Sequence, residues 1–427
     1  MDLKLCIIAD DFTGAGDSAV QFRKNGYTPF LALQDWDSGV DLGLYNVLVV
    51  STESRFMPPE ESYSKVRSVV ETCKMLGVQR YFKKIDSTIR GNIPEEIAAV
   101  MDAGGYECAI VSPAAPRNGR TVVGGNCLVH GVPVGKDKAN SDPFTPVLSA
   151  SVLELLKRTF HESVGYIDLT TVRSGDKAFL KRLQRLRQAG MKVIVADAET
   201  IEDLRIVASV KEDQSVLFVG ASGLAEALTD SGEESTLELP RIESGKLLFV
   251  VGSVTETTRT QVAELQKSVE LVSLCVSVQN MLDDEKQELS RLLLEYARSR
   301  QNIAVLITTF DGDGEYRKDI DYAAGLGIDE KKLGERVSKF LGKLVAEIFS
   351  QRHIEAVFTT GGDTAGGVSK SLEVKGVELL DELLPGIPIG KFDTPYAEQP
   401  VYLISKAGGF GKNNAMIQVC NIVTGVQ

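Results

Sequence analysis

Ile7–Asp17 reads IIADDFTGAGD. An apolar strand ends on two adjacent carboxylates, Asp10 and Asp11, then passes a small turn with Gly14 and Gly16. A third carboxylate, Asp17, enters a helix. Strand, polar turn and helix in that order make the first half of a βαβ unit. Adjacent acids at a strand terminus are costly to bury unless they serve something. They can accept hydrogen bonds from ligand hydroxyls, hold a metal, or take a proton from a nucleophilic hydroxyl. The structural alternative is that Asp10 or Asp17 caps the helix.

Outward from this stretch the alternation continues. Strands are expected at Leu3–Ala9, Thr28–Leu33, Val47–Ser51, Arg80–Ile85, Cys108–Ser112, Val193–Ala196 and Val216–Val219, with helical patterns such as Pro59–Met75 and Asp176–Ala189 between them. Strands alternating with helices imply a mostly parallel sheet. Ser231–Gly245, SGEESTLELPRIESG, is polar and punctuated by Pro and Gly, which is linker composition. The alternation then restarts with strands at Leu247–Val251, Leu271–Val276, Ile303–Thr309 and Ala356–Thr360. Helices are expected at Glu256–Lys267, Glu285–Arg298 and Asp329–Ser350. The fold expected is α/β in two domains, 1–230 and 246–427, joined by a linker at 231–245. Each domain has a mostly parallel sheet flanked by helices, with the active site in the cleft between the two sheets.

Bulk properties bound the function. The 427 residues are 43% hydrophobic and 25% charged, as in soluble globular proteins. No apolar run approaches the roughly 20 residues that span a bilayer. The N-terminus lacks a basic region and a cleavage site, so it reads as a first strand and not a signal peptide. A net charge of −12 repels phosphodiester backbone and disfavours a nucleic-acid partner. Anionic small molecules then need local clusters of Lys and Arg. The six cysteines show no metal-ligand spacing and read as packing residues in a reducing, cytoplasmic setting. His130, His161 and His353 fall outside every motif, so no catalytic histidine is assigned.

Such a basic cluster lies in KKIDSTIRGN, Lys83–Asn92, where Lys84, Asp86, Ser87 and Arg90 gather as a strand becomes a turn. Arginine grips a carboxylate through two parallel hydrogen bonds. Arg55, in STESR after another strand, can join the same pocket. The loop SPAAPRNGRTVVGGN, Ser112–Asn126, offers Arg117 and Arg120 as ligand contacts or as parts of an ordinary loop. In the second half, VVGSVTETT places Gly252 and Ser253 between strand and helix. TTGGDTAGG runs from a strand into Gly361, Gly362, Asp363 and Thr364, and ISKAGGFGKNNA gives Gly408, Gly409, Phe410 and Gly411 after another strand. Backbone amides in such turns form concave anion sites. Three of them in one domain point to a nucleotide, although none is GxxxxGK[ST] or GxGxxG.

Five segments in order, ADDFTGAGD, KIDSTIRGN, PAAPRNGRTVVGG, TTGGDTAGG and KAGGFG, resemble the four-carbon acid sugar kinase family across essentially the whole chain. The resemblance implies an ATP- and Mg²⁺-dependent phosphotransferase acting on the terminal hydroxyl of acids such as D-threonate, D-erythronate or 3-oxo-tetronate, with the D-threonate kinases most alike. It implies an N-terminal sugar-acid site of Asp11, Arg55, Lys84, Asp86, Ser87 and Arg90. It implies a C-terminal nucleotide site of Ser253, Gly361–Thr364 and Gly408–Gly411. Asp363 stands where many members are expected to carry Glu.

On that reading Lys84 and Arg90 hold the substrate carboxylate while Asp11 and Asp86 orient hydroxyls. Asp11 is the expected general base, with Asp10 or Asp363 as substitutes. Domain closure would expel water. A sugar-acid dehydrogenase or aldolase, or a non-catalytic sensor, would keep the acid site without needing ATP. Apolar helix faces permit a homodimer.

Overall fold

The computed structural model describes residues 3–33, 40–135, 147, 149–229, 241–242, 246–308 and 313–425. The chain divides into two compact units, Met1–Leu31 with Asp41–Ser235, and Ala32–Val40 with Thr236–Gln427. Most of the expected linker at 231–245 lies outside the described residues. Ile242 is buried, and its amide donates to the Val423 carbonyl at 2.7 Å, within the second unit.

In chain order the first half runs β1 (Leu5–Ala9), α1 (Phe12–Lys24), β2 (Pro29–Ala32), β3 (Val47–Ser51), α2 (Pro59–Met75), β4 (Tyr81–Lys84), α3 (Ile93–Gly104) and β5 (Cys108–Ser112). It continues with β6 (Arg120–Val123), β7 (Asn126–Val129), β8 (Val132–Pro133), α4 (Val152–Phe160), β9 (Val164–Ile167), α5 (Leu169–Arg173) and α6 (Asp176–Gln188). It ends with β10 (Val193–Ala196), α7 (Ile201–Val207), β11 (Val216–Gly220) and α8 (Ser222–Thr229). The main sheet has the order β2-β3-β1-β4-β11-β5-β10-β9, and every pair from β3 to β9 is parallel. Central strands such as LCIIA and VLVVS are near-continuous apolar runs because helices cover both faces. β6, β7 and β8 form a separate antiparallel sheet.

The second unit runs β12 (Leu247–Val251), α9 (Glu256–Ser268), β13 (Val272–Val276), α10 (Val278–Asp283), α11 (Glu285–Arg298), β14 (Ile303–Thr308), α12 (Asp313–Gly325) and α13 (Glu330–Gln351). It finishes with β15 (Ala356–Thr360), α14 (Gly362–Ser371), β16 (Gly376–Leu384), β17 (Ile387–Phe392), β18 (Val401–Lys406) and α15 (Ala415–Thr424). Its strand order is β13-β14-β12-β15-β18-β17-β16. The pairs from β13 to β18 are parallel, and the two pairs that β17 makes are antiparallel. Phe249 and Phe358 meet across β12 and β15 with ring centroids 5.1 Å apart. Val262 and Leu265 of α9, and Met416 and Val419 of α15, cover them. Full burial of one such phenylalanine is worth about 1.5–3 kcal/mol. Among the described residues no helix is long and apolar enough to cross a membrane.

One local expectation is corrected. Gly14 and Gly16 lie inside α1, not in a turn before it, and Asp17 sits in the helix interior. The N-cap is Asp11, in extended backbone, whose carboxylate accepts the Gly14 amide at 3.0 Å. Glycine at position 14 answers a packing need. A Cβ there would stand 2.5 Å from Asp11 Oδ1 and 2.7 Å from Lys84 Nζ.

Beneath the carboxyl ends of β1, β3 and β4 lies a fully buried ion pair. Lys83 Nζ sits 2.7 Å from Glu96 Oε2 and also donates to the Ile8 and Lys84 carbonyls. Glu96 Oε1 accepts from Ser54 at 2.6 Å and Ser62 at 2.8 Å. Removing one partner strands a charge where water cannot reach it. Lys83→Met is therefore expected to cost about 3–5 kcal/mol in chemical denaturation, and adding Glu96→Leu to recover much of the loss.

Candidate functional site

Three neighbouring parallel strands, β3-β1-β4, deliver the acidic and basic residues of the first unit to one place. Asp10 and Asp11 follow β1, Arg55 follows β3, and Lys84 ends β4 just before Asp86. Strand carboxyl ends at such a reversal of sheet order are where α/β folds place ligands.

Arg55 is the hub. Its Nε lies 2.7 Å from Asp10 Oδ2, its Nη2 lies 2.8 Å from Asp11 Oδ1, and Asp86 Oδ1 stands 3.9 Å from Nη2. Arg90 grips Asp86 with both prongs, Nε to Oδ2 at 2.8 Å and Nη2 to Oδ1 at 2.9 Å. Lys84 Nζ donates to the Ile85 carbonyl at 3.0 Å and faces Asp11 across Gly14. The carboxyls respond differently. Burial raises Asp10, aided by repulsion from Asp11 and opposed by Arg55. Burial also pushes Asp11 up, but Arg55 and Lys84 outweigh it and leave the group lowered. Asp86 is likewise penalised by burial, yet Arg90 and Arg55 hold it well below the usual carboxylate range.

The loop after β4 is tightly constrained. Ile89, a β-branched residue, is held at φ +59°, a region such side chains rarely occupy. Asn92 Nδ2 ties the loop to the Ser54 and Met57 carbonyls at 3.0 and 2.8 Å. Ser87 is half-buried, and its carbonyl accepts the Cys127 thiol at 3.1 Å, which joins this loop to β7. Of the two arginines in the following loop, Arg117 turns to Glu226 at 2.6 Å, whereas Arg120 lies within the electrostatic reach of Asp86 and Arg90.

In the second unit the three glycine-rich turns follow β12, β15 and β18, which are adjacent and parallel. They converge. A Cβ on Gly252 would collide with the Thr364 hydroxyl, and one on Gly408 with the Ser253 hydroxyl. Gly361, at φ +89°, is the N-cap of α14, so only glycine fits without strain. Asp363 is exposed in the first turn of that helix.

Three side chains not singled out in the sequence shape the last turn. Lys406 Nζ, fully buried, donates to the Ala407, Gly408 and Phe410 carbonyls at 2.9, 2.7 and 3.2 Å. Thr258 Oγ1 donates to Gly408 O at 2.7 Å, and Gln261 Nε2 to Phe410 O and Lys412 O at 3.0 and 2.9 Å. With these carbonyls held by side chains, the turn has little freedom to swing them toward an anion, which suits it to phosphate binding. Burial draws the Lys406 pKa down to about 8. In the sequence Lys406 stands at the head of the KAGGFG segment, of which only Gly408–Gly411 were singled out.

Comparison with known proteins agrees with this division. Residues 5–228 match the sugar-binding N-terminal domain family and residues 248–416 the nucleotide-binding C-terminal domain family. A D-threonate kinase of Salmonella typhimurium is 34% identical, over 97% of this chain and 97% of its own. A D-erythronate kinase of Heliobacterium modesticaldum is 31% identical, over 96% and 94%. Among solved structures, a Salmonella typhimurium LT2 protein described as a tRNA synthase superposes with a TM-score of 0.81 at 26% identity, covering 97% of this chain and 98% of its own.

Lys406 yields a prediction with two readouts. Lys406→Met is expected to weaken ADP binding about 10-fold by calorimetry, since the turn loses three charge-assisted bonds. Unchanged ADP affinity would show that the turn holds its shape alone. The lysine's folded pKa lies below its unfolded value of about 10.4, so the buried ammonium costs stability at neutral pH. That cost is relieved as pH rises from about 8 toward about 10.4, so in thermal unfolding the wild type should gain on the Met variant across that window.

Proposed function

Because the chain belongs to the four-carbon acid sugar kinase family, and so transfers phosphate to a sugar acid, we propose that it converts D-threonate and ATP to 4-phospho-D-threonate and ADP. The 34% identical D-threonate kinase supports the choice of substrate. D-erythronate and 3-oxo-tetronate are the alternatives of the same carbon count. Family membership displaces the dehydrogenase, aldolase and sensor readings, and the net charge of −12 speaks against a tRNA substrate.

The observation that carries the mechanism is the difference between the two adjacent acids. The Asp11 side chain is 17% exposed and that of Asp10 3%, so a bound hydroxyl can reach Asp11 while Asp10 stays behind Arg55. Asp11 then accepts the proton of the C4 hydroxyl as O4 bonds to the γ-phosphorus. The bond from that phosphorus to the β,γ-bridging oxygen breaks, and ADP leaves. Phosphoryl transfer asks for positioning and charge stabilisation more than for a strong base, so a depressed Asp11 is adequate. Arg55 holds Asp11, and Asp86 with Ser87 lines the sugar acid. The amides of Gly361–Thr364 and Gly408–Gly411, with the Ser253 hydroxyl, bind the nucleotide phosphates. Mg²⁺ would neutralise phosphate charge. Asp363, an exposed carboxylate in the first turn of α14 beside the phosphate turn, would be a residue to hold it.

The test is coupled ADP release over D-threonate, D-erythronate and 3-oxo-tetronate. The highest kcat/KM should fall on D-threonate, and turnover of the other acids alone would reassign the substrate. Asp11→Asn should lower kcat about 10²–10⁴-fold, and full turnover in that variant would move the base to Asp10 or Asp363.

A further inference from the structure

Among the described residues, one cation of the sugar-acid site has no carboxylate partner within the protein. Arg55 is engaged by Asp10 and Asp11, Arg90 by Asp86, and Lys84 faces Asp11 with its ammonium on the Ile85 carbonyl. Arg120 differs. Among the described residues no carboxylate lies within ion-pair distance of it, and its buried Nε has no hydrogen-bond partner. One terminal nitrogen reaches the Asn118 carbonyl. Arg120 is half-buried, but a buried N–H donor such as its Nε is costly to leave unmade.

Its placement is fixed by the backbone. Arg120 opens β6, and its amide and carbonyl pair with Ala115 at 3.1 and 2.9 Å. The hairpin turns at Gly124 and Gly125, both with positive φ, as a two-residue turn requires. Buried Asp197 accepts both of their amides at 2.9 Å and the Tyr166 hydroxyl at 2.6 Å. Val122 exchanges backbone bonds with Ala198, and Cys127 holds the Ser87 carbonyl. Asp86 attracts the Arg120 guanidinium and Arg90 repels it, so the two arginines share one neighbourhood. An anion between them relieves that repulsion and fills the empty donors together.

We infer that Arg120 reads the substrate carboxylate, and so sets the preference of the site for a sugar acid over the corresponding polyol. The inference rests on the sugar-acid reading of this site, and assigns to Arg120 the carboxylate grip that Arg90 is less free to supply. The planar guanidinium fork matches a carboxylate and gains nothing comparable from a primary alcohol.

Calorimetry without nucleotide tests it, with D-threonate and D-threitol titrated into the wild type, Arg120→Ala and Arg120→Lys. The wild type should prefer the acid. Arg120→Ala should lose about 10–100-fold in acid affinity with threitol binding unchanged, and Arg120→Lys should lose less. ADP binding serves as the control for folding. Should the alanine variant fail to fold, the lysine variant is read alone, and its loss must fall on the acid rather than the polyol. Equal losses for both ligands, a retained acid preference in the variants, or a wild type with no acid preference overturns the inference. ADP release by the wild type is measured separately, so failure as a kinase is distinguishable from failure of Arg120 as the reader.

Discussion

An arginine that is only 8% exposed is tolerable because carboxylates surround it, and Arg55 holds Asp10 at 2.7 Å and Asp11 at 2.8 Å with Asp86 a little further off. Burial alone would lower the pKa of Arg55, yet these acids raise it well above the ordinary value. The same pairing, with Lys84 and Arg90, holds Asp11 and Asp86 below the ordinary carboxylate value, while burial pushes Asp10 up against the pull of Arg55. Remove the arginine and three acids at neighbouring strand ends would repel one another. The geometry depends on backbone held from below: Ser54 N bonds the Asp10 carbonyl at 3.1 Å, and Ser54 Oγ reaches the buried Glu96 that neutralises Lys83. Two layers of paired charge thus fix the loops after β1 and β3.

The second unit solves a related problem with peptides in place of carboxylates. A phosphate site needs amides turned outward, and a glycine-rich turn has too much freedom to hold them so. Lys406, Thr258 and Gln261 remove that freedom by bonding the carbonyls. The residual cost is a buried ammonium with no carboxylate partner among the described residues, and burial draws its pKa down to about 8. Thr258 and Gln261 come from α9, so the helix after the first glycine turn also sets the shape of the third.

Legibility in the sequence followed periodicity. The strands at 47–51, 108–112, 193–196, 247–251 and 356–360 were readable because buried parallel strands are unbroken apolar runs. β16 was not, because GVELLDELL carries acids at a spacing that suits an amphipathic helix, and only its antiparallel pairing with β17 makes it a strand. β9, VGYI, is short and bounded by polar turns. Gly14 and Gly16 looked like a turn because propensity says so, whereas both lie within α1, and at Gly14 close packing against Asp11 and Lys84 requires glycine. Motif residues were locatable one by one. Their partners were not, since Arg55 meets Asp10 across 45 residues of chain and Lys406 hides at the end of a strand.

Charge counting explains how an acidic protein attracts an acid. Among the described residues, Arg55, Lys84, Arg90 and Arg120 surround Asp10, Asp11 and Asp86, which leaves one positive charge in excess within a chain of net −12. A surface so negative screens the site from polyanions, while low-dielectric walls strengthen a single local charge. The excess sits on Arg120, whose backbone is held by Ala115 and whose guanidinium reaches the Asn118 carbonyl. A carboxylate docked there would set the orientation of the rest of the molecule, and chain length would then decide which hydroxyl lies opposite Asp11. On the reading proposed above, selectivity for four carbons would become a matter of distance between Arg120 at one end of the ligand and Asp11 at the other.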